Sequence, residues 1–275
     1  MTKEEKKEAK RIQKLEKKNN KLNKKNEIEE ERLKEYNKQA PQRIERQRVK
    51  KIHQEMNEAP KRTVLEEVGN SVSHGVGAIL AIVALIVMLI NLKEEKVYDY
   101  NLAIFATVVY TFCMFMTMIN SCLYHSWRAG SKVKRIWRRF DYSAIYLLIA
   151  GTFAPLFLIF LIQFKPTLSI VLFVIQWVLV IFGITMNGVF GPGRIKKLNY
   201  FMYFAIGWSG IIFIPYFIQY NQPLLWYILI GGLTYTLGMI PFAFKNFKAT
   251  HFVFHLIIVI SAIIQWIGIF VCLYL

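Results

Sequence analysis

From Ser71 onward apolar residues gather into long runs separated by short polar breaks, whereas before it charged and amide residues dominate, with only scattered aliphatic positions. Seven runs can be read, at about 72–92, 100–124, 141–164, 167–188, 198–220, 223–244 and 251–274. Each is close to the roughly 20 apolar residues that carry a helix across the hydrocarbon of a bilayer. The pattern predicts an all-α integral membrane protein built as a seven-transmembrane-helix bundle. Pro166 and Pro223 stand at helix starts, where a missing N–H does little harm. Pro155, Pro215 and Pro241 fall inside or near the ends of runs and are expected to kink them.

Charge divides the chain in the same place. Residues 1–71 hold 21 basic and 14 acidic side chains, and residues 72–275 hold 14 and 4. So few acids in the longer part lie far below the usage of a soluble domain, and 3 cysteines exclude a disulfide-built module. The expected organisation is a Lys/Glu-rich cytoplasmic tail at 1–65 and a seven-transmembrane domain at 66–275. Placing Ile12 at a heptad a position puts Leu15 and Leu22 at d, but also Asn19 and Asn26 at a and Glu29 at d. That pattern supports a weak coiled coil at most, and a disordered or partly helical solvated tail fits it as well. The basic excess suits an anionic leaflet, at about 1 kcal/mol per basic group near the surface. Interleaved glutamates argue against nucleic acid as a partner. With no apolar stretch near Met1, no cleavable signal peptide is expected and the first spanning helix directs insertion.

Basic residues also orient the bundle. Alternate loops at 125–140, 189–197 and 245–250 carry Arg128, Lys132, Lys134, Arg135, Arg138, Arg139, Arg194, Lys196, Lys197, Lys245 and Lys248, against Lys93, Lys96 and Lys165 on the other side. By the positive-inside rule the N-terminus is cytoplasmic and the C-terminus outside, as expected of a multi-pass protein of the cell membrane.

This topology gathers the ionisable groups at one leaflet. His53 belongs to the tail, but His74 lies early in the first spanning helix, His125 closes the second, and His251 and His255 open the seventh. Asp141, the only acid within the runs, opens the third, and Ser121 lies one turn before His125. His251 and His255 are an i, i+4 pair able to chelate one ion. Adding His125 gives three imidazoles, the set that leaves a zinc ion's fourth position open for water. Asp141 is placed to accept a hydrogen bond from that water as general base, and Ser121 to orient it or to donate to an oxyanion. His74 reads either as a fourth nitrogen near the site or, preferably, as a packed histidine held by Glu67 and Asn70, with a supporting role. Cys113, Cys122 and Cys272 read as small packing residues.

Three motifs, Glu67-x-x-Asn70-x-x-x-His74, Ser121-x-x-x-His125 with Asp141, and His251-x-x-x-His255, resemble the signatures of the hemolysin III family, also called the progestin and adipoQ receptor family. The resemblance covers about residues 66–275 and leaves the tail aside. It implies zinc on His125, His251 and His255, with Asp141 and Ser121 beside it, and kinship with membrane hydrolases that include alkaline ceramidases. Three functions follow as expectations: a zinc-dependent hydrolase of lipid amide or ester bonds, a non-enzymatic homeostasis or sensor protein with structural zinc, and a cytolysin. Membrane lipids are the expected partners. The oligomeric state is left open.

Overall fold

In a computed structural model the described residues are 3–243 and 249–275, so Lys245 and Lys248 of the charge count lie outside them, as do the side chains of Ile12 and Pro241. By compactness the chain forms two units, Met1–Met56 and Asn57–Leu275. The first is a single helix, α1 (Lys3–Met56), with solvent-exposed side chains at nearly every described position and Pro41 inside it. A helix polar all round finds support in pairs one turn apart. Gln39 donates to Glu35, and Arg43 donates to Gln39.

The second unit contains seven helical segments, among the described residues, long and apolar enough to cross a membrane. They comprise α2 (Val64–Asn91), α3 (Tyr100–Ser126), α4 (Lys132–Pro155) with its continuation to Gln163, α5 (Pro166–Phe190), α6 (Lys196–Trp208) continued by α7 (Ile214–Tyr220), α8 (Gln222–Ala243) and α9 (Thr250–Leu273). The protein is therefore an all-helical multi-pass membrane protein. Two starts come earlier than hydropathy alone suggests, and each has a cap. Thr63 and Glu66 form a reciprocal capping box that opens α2 well ahead of Ser71, and Ser131 accepts from the Lys134 N–H to open α4. Both extra segments mix charged and apolar residues, and both carry residues that reach the functional cluster.

The third span is the central strut. Residues 150–162 are buried without interruption, although they run through irregular helix. Pro155 supplies no N–H to the turn before it, and the backbone widens into a π-helical stretch at Leu156–Phe160. Phe157 packs edge-on against Phe213, and Phe160 stacks on Phe217, closing an aromatic core at this end. Pro215 likewise follows a 3₁₀ stretch, Ser209–Phe213, that separates α6 from α7.

Outward faces of α2 and α5 carry exposed Ile79, Val83, Ile86, Ile170, Val174 and Ile181, which suit lipid. Polar ties cross between helices where they are shielded. Tyr146 donates to Asn199, Asn199 donates to Asn187, and the hydroxyls of Thr107 and Tyr274 lie 2.7 Å apart. Close approach also needs a missing side chain at Gly151, where a Cβ would fall 2.5 Å from the Cys113 Cβ and 3.3 Å from the Tyr110 carbonyl oxygen. Gly151→Val is therefore expected to destabilise the bundle by about 1–3 kcal/mol through overpacking. Thermal unfolding in detergent reads this, and an unchanged midpoint contradicts the close packing of α3 on α4.

Candidate metal centre

The helix ends that begin at the two caps, together with the end of α3 and the start of α9, meet at one end of the bundle. His125, His251 and His255 come together there, one ligand atom from each lying within 4.8 Å of the others. His125 and His255 are buried and His251 is half-buried. The two helices deliver them differently: α9 presents His251 and His255 from one face a turn apart, and α3 brings His125 in its last turn.

Which nitrogens converge follows from their partners. His125 Nδ1 is 2.6 Å from Glu67 Oε2, so Nδ1–H donates to that carboxylate. The Nε2 of His125 is buried with no hydrogen-bond partner. His255 Nδ1 is 2.7 Å from His74 Nε2, and His255 Nε2 is 2.9 Å from His251 Nε2. Donation from His255 Nδ1–H to His74 keeps the opposite edge of that ring as a lone pair. The Nε2 edges thus converge, and those of His125 and His255 are each backed by a bond at Nδ1 that fixes the ring, as metal-binding histidines require. Three imidazoles, one with an orphaned nitrogen, fit a divalent ion of the zinc, copper, nickel or iron class, and three protein ligands fit a tetrahedral ion with one open position.

Ser121 and Asp141 line the same cavity as His74, His251 and His255, a space of about 210 Å³. Asp141 is half-buried, and its charged or polar neighbours include His125, Ser121, Arg62 and Arg138. The Ser121 hydroxyl and His74 Nδ1 are buried without hydrogen-bond partners, so both are available to a molecule in the cavity. From this polar head the cavity runs between α4, α6, α8 and α9 past Leu148, Phe153, Ile228 and Ile214. Beyond the head its lining is mostly apolar, with Thr152, Thr236 and Gln265 among the exceptions.

One expected pairing is corrected. Glu67 and Asn70 do not hold His74. Glu67 holds His125, with Asn70 Nδ2 3.4 Å from the same His125 nitrogen, and His74 holds His255 instead. The reason is the early start of α2, which carries Glu67 and Asn70 alongside the end of α3. Cys122 packs off the cluster, its sulfur 3.4 Å from the Ser71 hydroxyl. Lys134, counted from sequence only as a loop cation, is buried and pairs with Glu67 at 2.9 Å. The Ser131 cap was the signal that could have placed it on a helix.

The sequence comparisons decide the family. A family profile described as "Haemolysin-III related" matches residues 62–266. The chain belongs to the haemolysin III family. "Hemolysin-3" of Bacillus cereus is 35% identical over 196 residues, covering 71% of this chain and 86% of that protein. "Hemolysin-3 homolog" of Bacillus subtilis is 32% identical over 194 residues, covering 70% and 87%. All the residues that build the metal centre lie inside the matched region, and α1 lies outside it. With seven spans and these relatives, this haemolysin III family member is a multi-pass protein of the cell membrane.

Purified protein is expected to carry equimolar divalent metal by inductively coupled plasma mass spectrometry. His125→Ala and His255→Ala should each lose most of it, and Cys122→Ala should keep it. Metal retained by both histidine variants contradicts the site.

Proposed function

We propose that this protein is a zinc-dependent hydrolase acting on an amide or ester bond of a membrane lipid, at the leaflet facing the cytoplasm. The observation that carries the reading is the meeting of three imidazoles, two of them lining a mostly apolar cavity whose polar head also holds a carboxyl group and a hydroxyl. A cytoplasmic N-terminus is part of the proposal and rests on the basic loops.

His125, His251 and His255 would hold the ion, and a bound zinc would supply Lewis acidity that polarises a carbonyl and lowers the pKa of water to about 7. Asp141 takes the proton of the attacking water on its carboxylate and returns it to the leaving amine or alcohol. Ser121 donates its free hydroxyl to the carbonyl oxygen as negative charge develops there. His74, through its bond to His255, keeps one ligand ring in place. The apolar channel along α4, α6 and α8 takes an acyl chain and keeps bulk water from the reacting bond.

A structural zinc that merely staples α3 to α9 would need neither a carboxyl group nor an unpartnered hydroxyl facing an apolar cavity. The relatives' printed name concerns haemolysis. For this chain a pore is the weaker reading, because the aromatic core around Phe157, Phe160, Phe213 and Phe217 fills the opposite end of the bundle.

With a total membrane lipid extract as substrate, the zinc-loaded protein is expected to release fatty acid, read by mass spectrometry. Asp141→Asn should lower the rate by about 10²-fold or more while metal content stays unchanged. No release by the wild type, or equal release by the variant, removes the hydrolase reading.

A further inference from the structure

Lys134 is the least expected side chain at this end of the bundle. Its residue is only 1% exposed, yet it carries an ammonium group that is expensive to bury without partners. It has three. Nζ donates to the Trp127 carbonyl oxygen at 2.9 Å, just past the last turn of α3, where a cation also meets the negative end of the helix dipole. It sits 5.0 Å from the Tyr124 ring centroid. It pairs with Glu67 Oε1 at 2.9 Å. One lysine at the start of α4 thereby ties the start of α2 to the end of α3.

Glu67 divides its two oxygens between two duties. Oε1 meets Lys134 and Oε2 accepts from His125 Nδ1–H. A carboxylate held at one oxygen only is free to swing about its side-chain torsions. With the Lys134 ammonium 2.9 Å from the other oxygen as an ion pair, though not in hydrogen-bond geometry, that swing is restrained by charge. The far side of the His125 ring is the buried, unpartnered Nε2 that faces His251 and His255. Displacing the carboxylate therefore rotates a ring whose opposite edge is a candidate ligand.

We propose that Lys134 is a positioning residue of the metal centre: by anchoring Glu67 it holds the carboxylate against His125 and so aims the His125 Nε2 at the point shared with His251 and His255. The inference rests on the reading of those three histidines as ligands, and adds to it a residue outside the ligand set. Electrostatics and positioning make opposite demands. An ammonium near a dication repels it, so on charge alone removing Lys134 tightens metal binding. On positioning, removing it weakens binding, because loss of an outer partner of a ligating histidine typically costs about 10–100-fold in affinity.

The test is Zn²⁺ affinity of the full-length detergent-solubilised protein, measured by competition with a chromophoric chelator, together with the visible absorption of the Co²⁺-substituted form. Lys134→Met is expected to weaken Zn²⁺ binding about tenfold or more and to shift the Co²⁺ bands. Glu67→Gln should do the same, and the double variant should be no weaker than Glu67→Gln alone, since Lys134 acts through Glu67. Lys134→Gln, which keeps an N–H donor without the charge, should fall between wild type and Glu67→Gln, and carries the comparison if the methionine variant fails to fold. The melting temperature of the chelator-treated proteins is read in parallel. A role confined to tying helices lowers it while leaving affinity and spectrum as in the wild type. Unchanged or tighter Zn²⁺ binding in both Lys134 variants, or additive losses in the double variant, overturns the inference while leaving the ligand set standing. A wild type that binds no Zn²⁺ overturns both.

Discussion

An imidazole or carboxylate near hydrocarbon must find a partner within the protein, because lipid offers none and the cost of an unpaired polar group there is several kcal/mol. That constraint explains why the polar side chains of this bundle do not scatter. His125 leans on Glu67, Glu67 on Lys134, and His255 on His74. Each bond serves satisfaction and aim together. Among the atoms the network leaves over, the His125 Nε2, the His74 Nδ1 and the Ser121 hydroxyl lie where a ligand or substrate would sit.

The rest of the fold serves that end of the bundle. Two caps, at Thr63 and Ser131, extend α2 and α4 beyond their apolar stretches and so deliver Glu67, Asn70 and Lys134. The third span, buried through residues 150–162, provides the wall along which the cavity descends, and Pro155 with its widened turn lets aromatic side chains pack where a regular helix would have turned them elsewhere. The cavity is thereby divided into a polar head of few residues and a mostly apolar space below it; in the proposed function the first would do the chemistry and the second would take the acyl chain.

The spans were legible from sequence because an apolar run long enough to cross a bilayer is the mark of a membrane helix and is seldom tolerated in a soluble fold. Their starts were less so: hydropathy sees the apolar part of a helix and not the charge-bearing turn that precedes it, although Thr63-x-x-Glu66 was readable as a capping box. The residues that approach one another, His125, His251, His255, Asp141 and Ser121, were legible because alternating topology puts their helix ends on one side. The pairings within the cluster were not. Spacing along α2 suggested that Glu67 and Asn70 serve His74, but contacts between helices depend on rotation and height, which a single helix's periodicity does not encode. Lys134 was hidden for the same reason, a basic residue among others until the cap made it the first turn of a helix.

The proposed chemistry requires His125 of α3 and His251 and His255 of α9 to meet around one ion. Anomalous scattering at the zinc edge from crystals of the zinc-loaded protein tests this most directly. The expected result is a single strong peak at about 2.0–2.1 Å from the Nε2 atoms of His125, His251 and His255. A peak ligated elsewhere, or density in which His125 stands apart from the other two, would contradict it.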